Sequence, residues 1–212
     1  LLGFCRKFTS PLVGALKNWV KLSEEGVYDA IFCVVDAHAA TTEYAREEMP
    51  LRTFGTALSY LAAGLHPDRA TVFVQSEVPQ HMELAWYLST VTPMGDLHRM
   101  TQFKEKSDQY KQNVNAGLFT YPILMAADIL VYRASVVPVG NDQVQHLELT
   151  REICRKFNAR FGDLFPEPKP KLTATPRIMG LDGKRKMSKS LGNSIDLFDP
   201  PNAVEKKLKG AF

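Results

Sequence analysis

Two short apolar runs place the tightest limit on what this chain can fold into. Residues 28–35 read Tyr-Asp-Ala-Ile-Phe-Cys-Val-Val, and residues 70–75 read Ala-Thr-Val-Phe-Val-Gln. Neither alternates apolar with polar, so each predicts a strand covered on both faces, as in a parallel sheet flanked by helices. The stretches around them have helical spacing. Leu12, Leu16, Trp19 and Val20 share one face that closes near Gly26; residues 46–64 form a helix ending on Gly64; residues 76–90 form another. Helix, strand, helix, strand, helix is the grammar of a doubly wound α/β fold with a parallel sheet.

The rest of the chain extends that grammar. Residues 94–112 turn polar, with Arg99, Lys104, Lys106 and Lys111 among acids, and read as a solvated helix. Residues 115–132 predict a strongly apolar helix, and residues 136–139 a short strand. Gly140-Asn141-Asp142 then turns into a helix over about residues 143–161. Residues 165–176 hold four of the 13 prolines and read as a connector, and residues 178–181 as a last strand. A further helix starts after Asp199-Pro200-Pro201-Asn202, whereas residues 1–10 show no period and predict no regular element.

Composition excludes several classes. With 212 residues, 45% hydrophobic and 23% charged, the chain suits one large soluble domain or one domain with an appendage. A net charge of +3 is too small to argue for nucleic-acid binding, although basic residues outnumber acidic ones between Lys169 and Lys209. Cys5, Cys33 and Cys154 lack paired spacing, which argues against a zinc site or a disulfide framework and fits a reducing cytoplasm. No apolar run reaches membrane-spanning length and no signal-peptide pattern is present, so no membrane partner is expected. Starting without Met and stopping just after a helical pattern, the chain reads as a fragment.

Three constellations carry chemistry. Asp128 is a lone carboxylate among Met125, Ala126, Ala127, Ile129, Leu130 and Val131, too costly to bury without a donor. The donor is either a backbone N–H or distant Arg, or a group on an apolar ligand. Tyr121 and Met125 share its helical face, and an aromatic wall, a thioether and one acceptor suit an indole ring. Gly140-Asn141-Asp142-Gln143, with His146, lies where a strand gives way to a helix and can face an anion, or can simply cap. His38 follows the first strand beside Asp36, where open α/β sheets bind ligands. The third constellation is the Gly-bounded run Gly183-Lys184-Arg185-Lys186-Met187-Ser188-Lys189-Ser190-Leu191-Gly192-Asn193. Its lysines are flexible point charges suited to a polyphosphate, and its serines can orient phosphate oxygens. A solvated basic patch has the same composition.

Lys186-Met187-Ser188-Lys189-Ser190 is identical to the nucleotide-binding signature of class I aminoacyl-tRNA synthetases. Residues 120–130 (Thr-Tyr-Pro-Ile-Leu-Met-Ala-Ala-Asp-Ile-Leu), residues 138–143 with Gln145-His146 and residues 148–151, and residues 99–104 resemble bacterial-type tryptophanyl-tRNA synthetases in order and spacing. The resemblance runs from about Leu12 to Ala211. It implies a Rossmann-like catalytic domain over residues 1–198, with residues 199–212 starting a truncated α-helical anticodon-binding domain. It also implies ATP-dependent activation of L-tryptophan and transfer to tRNA(Trp) by a cytoplasmic homodimer, with ATP and Mg²⁺ and no protein-held metal. By the same resemblance Asp128 accepts the indole N–H, Tyr121, Met125, Val137 and Val139 line the ring, and Gln143 and His38 hold the amino-acid end. Gly140, Asn141, Asp142 and Ile178 border adenosine. Lys186, Met187, Ser188, Lys189 and Ser190 meet the triphosphate, with Lys186, Ser188 and Lys189 catalytic.

One stretch departs from the family. Its His-x-Gly-His or His-x-Gly-Asn signature falls on Phe8-Thr9-Ser10-Pro11, so residues 1–11 are atypical and the activity of the nucleotide half-site is in question. Two alternatives follow. One is a tyrosyl-tRNA synthetase-like enzyme, disfavoured because a phenol pocket calls for a polar side chain at Met125. The other is a catalytically impaired relative that only binds tryptophan or a partner.

Overall fold

The computed structural model describes residues 2–3, 16–101, 114–140, 143–172, 180–184, 192–195 and 199–211. In chain order they form β1 (Leu2–Gly3), α1 (Lys17–Glu24), β2 (Ala30–Val34), α2 (Asp36–Ala39), α3 (Glu48–Ala62), β3 (Ala70–Val74) and α4 (Gln80–Ser89). Then follow α5 (Met94–His98), α6 (Ala116–Leu130), β4 (Val136–Val139), α7 (Val144–Phe161), β5 (Lys169–Leu172) and α8 (Pro201–Lys209).

Each strand pair is parallel: Leu2 lies opposite Ile31, Ala30 opposite Ala70, and Val136 opposite Lys169. β1 also lies against β4, so the strands run in space β3-β2-β1-β4-β5. Parallel neighbours need crossovers, and α3 and α7 supply them between β2 and β3 and between β4 and β5. This is the expected Rossmann-like arrangement. Its strand order reverses between β1 and β4, the place where open α/β sheets bind ligands.

The two central strands are as apolar as their packing requires. Trp19 of α1 and Tyr60 of α3 close over Phe32 of β2, with the Trp19 and Phe32 ring centroids 5.3 Å apart. A second cluster joins Leu88, Leu97, Ile123, Leu130 and Ile153 from the helices. A third gathers Cys33, Met125, Ile129, Val137, Val139 and Leu147. Gly64, at φ +106, ends the α3 segment in a backbone conformation that side-chain-bearing residues rarely adopt.

Three expectations need correcting. Residues 165–176 are not only a connector, because Lys169–Leu172 pairs with β4 as a strand. Its Lys-Pro-Lys-Leu sequence has no strand pattern; pairing with β4 defines it, and Lys and Pro are common on exposed edges. Leu2–Gly3, expected to be irregular, pairs with β2. The segment 76–90 is divided: Gln75–Glu77 makes a 3₁₀ turn and α4 begins only at Gln80. Of the expected strand over 178–181, Leu181 lies in a turn with its N–H on Asn193 O at 2.8 Å, and residues 178–179 lie outside the described residues.

α6 carries the apolar face of the candidate pocket, and one side chain starts it. Asn115 is extended (φ −98, ψ 165), and its Oδ1 accepts from Leu118 N at 2.9 Å. Its Nδ2 donates to Thr41 O at 3.1 Å, tying the helix start to the turn after α2. Asn115→Ala should cost about 1–2 kcal/mol in urea unfolding, because a capping acceptor and a buried tie are both lost. Asn115→Asp keeps the cap and should lose less; equal losses would assign the effect to the Thr41 tie alone.

Candidate active site

Asp128 sits in the last turn of α6 and is 0% exposed. An ion buried that deeply needs donors at close range. The structure supplies three. His38 Nε2 lies 2.8 Å from Asp128 Oδ2, while Gln75 Nε2 at 2.7 Å and His81 Nδ1 at 2.5 Å meet Oδ1. An ionised carboxylate only accepts, so each ring nitrogen facing it carries a proton. His81 Nε2 continues to Tyr132 Oη at 2.8 Å. The partner is thus neither a backbone amide nor an arginine but two histidines and a glutamine from the C-terminal side of β2 and β3.

The charge state follows from this donor set. Burial alone would raise the Asp128 carboxyl, but the hydrogen bonds from His38 and His81 outweigh it and hold it below the usual carboxylate range. Stability drawn from these bonds is present above the unfolded carboxylate range and is lost as pH falls through the lowered folded value. Burial first, then the Cys33 and Asp128 charges, push Tyr132 up to about 12, so its hydroxyl stays protonated. Burial, then Asp128 and Asp36, push the Cys33 thiol up as well.

The expected ring-lining residues surround this charge. Tyr121 and Met125 are buried on the same face of α6, and Met125 joins Val137 and Val139 in one apolar cluster. Tyr121 Oη is 2.8 Å from His146 Nε2, and its ring meets the His38 ring edge-on at 6.1 Å between centroids. Gly140 ends the β4 segment, its carbonyl accepting from Gln143 N at 2.9 Å where α7 begins. Asp128, Tyr121, Met125, Val137, Val139 and His38 are therefore brought together, with Gly140 and Gln143 at the end of β4. His38, expected at the amino-acid end, has its Nε2 turned to Asp128. Asn141, Asp142, Ile178, Lys186, Met187, Ser188, Lys189, Ser190 and the Phe8–Pro11 stretch lie outside the described residues.

Gln75, His81 and Tyr132 were not singled out in the sequence. Gln75 and His81 fall in a segment that reads there as strand end and continuous helix. The signal was present in another form: a buried carboxylate requires several donors, and the polar residues nearest the strand ends are the ones to search. Beside the pocket, Asp36 Oδ2 accepts from Ser76 Oγ at 2.5 Å, and both line an open cleft of about 940 Å³ with Tyr44, Arg46, Phe54 and Glu77. Asp128 is not on the wall of that cleft.

Comparison with known proteins agrees with this geometry. The family model described as tRNA synthetases class I (W and Y) matches residues 12–212. The tryptophan–tRNA ligase of Clostridium tetani is 49% identical over 203 residues, covering 93% of this chain and 60% of its own. That of Deinococcus radiodurans is 50% identical over 201 residues, covering 93% and 61%. The chain thus spans about three fifths of the length of these curated relatives. The crystal structure of tryptophanyl-tRNA synthetase from Campylobacter jejuni complexed with ADP and tryptophan superposes with a TM-score of 0.89 at 34% identity, covering 100% of this chain and 66% of that one. A buried carboxylate on an apolar helix, a parallel sheet in Rossmann order and a family match over residues 12–212 agree: the chain belongs to the class I tRNA synthetases of the tryptophan and tyrosine family.

Proposed function

We propose that this chain carries the amino-acid-activating domain of a tryptophan–tRNA ligase, which forms tryptophanyl-adenylate from L-tryptophan and ATP and passes it to tRNA(Trp). The observation that carries the reading is the ionised Asp128, wholly buried beside Tyr121 and Met125. A single acceptor in an apolar pocket fits a ligand with one N–H on a flat apolar ring. Met125 leaves no polar side chain of its own for a phenol, which disfavours the tyrosine reading. The ADP and tryptophan of the Campylobacter jejuni complex support the same pair of ligands.

The reaction needs no protein nucleophile. A tryptophan carboxylate oxygen bonds to the α-phosphorus of ATP as the bond to pyrophosphate breaks, so catalysis is alignment plus charge stabilisation. Asp128 would fix the ring, with Tyr121, Met125, Val137 and Val139 against its faces, and Gln143 would hold the amino-acid end. In this reading His38 acts on the pocket through Asp128. Gly140, Asn141, Asp142 and Ile178 would border adenosine. Lys186 and Lys189, with Ser188, would neutralise the leaving pyrophosphate, and Met187 and Ser190 complete that loop. Mg²⁺ would enter on the ATP phosphates, as that ion commonly does. Residues 199–212, where α8 buries none of its side chains, would begin the helical anticodon-binding domain.

The molecule would work as a cytoplasmic homodimer. Among the described residues no helix is long and apolar enough to cross a membrane. α3 nevertheless presents Leu51, Phe54, Leu58 and Leu61 to solvent at helical spacing, and Trp86 of α4 is 72% exposed beside Tyr87. A stripe of that kind reads as an interface. Sedimentation should give a dimer, and Phe54→Glu with Trp86→Glu should give a folded monomer; an unaltered dimer would place the interface elsewhere.

Two further outcomes test the site. By calorimetry the chain should bind tryptophan and reject phenylalanine, which offers Asp128 no donor. Because His38, Gln75 and His81 still meet the carboxylate when no N–H is offered, the hydrogen bond itself accounts for about 1.5–3 kcal/mol of that preference. Asp128→Ala should collapse the preference, and retention of it would remove Asp128 as the indole acceptor. ATP–pyrophosphate exchange by the same chain should be weak, because Phe8-Thr9-Ser10-Pro11 provides no imidazole donors to phosphate. Loss of such donors costs about 2.7–4 kcal/mol each. Replacing residues 1–11 with the family signature should restore exchange, and vigorous exchange without the replacement would show that the signature is dispensable.

A further inference from the structure

The three donors to Asp128 are shared unequally between its oxygens. Oδ1 accepts from Gln75 Nε2 at 2.7 Å and His81 Nδ1 at 2.5 Å, whereas Oδ2 accepts from His38 Nε2 at 2.8 Å. A carboxylate offers about four lone-pair directions, two on each oxygen. Oδ1 is therefore filled by protein donors, and Oδ2 keeps capacity for one more.

Each donor to Oδ1 is itself held in orientation. Gln75 Oε1 accepts from the backbone N–H of His38 at 3.3 Å, which turns the amide so that Nε2 faces the carboxylate. His81 is held at its far nitrogen by Tyr132 Oη, 2.8 Å away. Its ring also packs against Phe73 and Tyr132 at centroid distances of 5.6 and 5.4 Å, and those two rings lie 5.5 Å apart. Gln75 and His81 are both fully buried, so bulk water does not compete for Oδ1. The terminal torsion of an Asp side chain is otherwise soft and two-fold, and would let the two oxygens exchange places.

We propose that Gln75 and the His81–Tyr132 pair are positioning residues that set amino-acid specificity: by saturating Oδ1 they leave Oδ2 as the single acceptor for an indole N–H, in one orientation. The inference rests on Asp128 being the indole acceptor. His81 need not touch the substrate; it acts by stopping rotation of the carboxylate and by supporting its charge. Tyr132 acts one step further back, fixing the His81 ring.

The test compares equilibrium binding of tryptophan with that of β-(benzothiophen-3-yl)alanine, a ligand of nearly the same shape whose ring sulfur replaces the N–H. Calorimetry reads the ratio of the two affinities in the full chain. His81→Phe removes a donor to Oδ1 and should reduce that ratio by about tenfold or more, mainly through weaker tryptophan binding. His81→Asn, whose amide nitrogen can reach the place of Nδ1, should keep most of it. Tyr132→Phe, the gentler change, should fall between them and carries the test if His81→Phe does not fold. Equal losses for both ligands, or an unchanged ratio in His81→Phe and Tyr132→Phe, would overturn the inference. Asp128→Ala, which leaves no acceptor at this position, separates the two levels in the same assay. If it abolishes the preference while the His81 and Tyr132 variants do not, only the positioning role fails. If it leaves the preference intact, the indole reading fails and the positioning role with it.

Discussion

A carboxylate at zero exposure is the constraint around which this molecule is assembled. Asp128 can remain ionised only if donors reach it from outside its own apolar helix. They come from three places in the chain: His38 in α2, Gln75 just after β3, and His81 in α4. Those elements are brought to one point by the parallel register of β2 with β3 and by the packing of α4 on α6. The fold and the site are therefore one problem. Loss of any donor leaves a buried charge undersatisfied, at about 1.5–3 kcal/mol for a hydrogen bond to a charged group.

The proposed reading separates selection from chemistry. The amino-acid pocket would be built on helix and strand beside the apolar cluster of Met125, Ile129, Val137 and Val139. In the proposed reading the phosphate chemistry would fall to residues 183–193, whose sequence is glycine-bounded and rich in lysines that can follow moving charge. A rigid pocket discriminates well, because a ligand lacking the right donor cannot be accommodated by relaxation. A charged loop stabilises a leaving group without having to recognise the amino acid. On that reading, an altered residue 8–11 stretch would impair activation and spare tryptophan recognition.

Much of this was legible in the sequence, and the limits are instructive. The runs at 28–35 and 70–75 gave away the parallel sheet because burial on both faces forces a continuous apolar pattern. Asp128 stood out because its neighbours are all apolar. β5 was hidden, since Lys169-Pro170-Lys171-Leu172 gains its strand identity from β4 and not from its own residues. His81 and Gln75 were hidden for a different reason. Nothing local marks them, and their role exists only once Asp128, 47 positions from His81 and 53 from Gln75, is folded against them. Pocket residues on one helix share a period; donors to a buried charge share only a point in space.

The direct measurement of the central claim is the indole N–H itself. Tryptophan labelled with ¹⁵N at the indole nitrogen, bound to this chain, reports that proton by NMR. With Asp128 as the acceptor, the resonance is moved downfield from free tryptophan, is slow to exchange with water, and returns to the free position in Asp128→Ala. An indole N–H that keeps its free shift and exchanges rapidly while tryptophan is bound would contradict it.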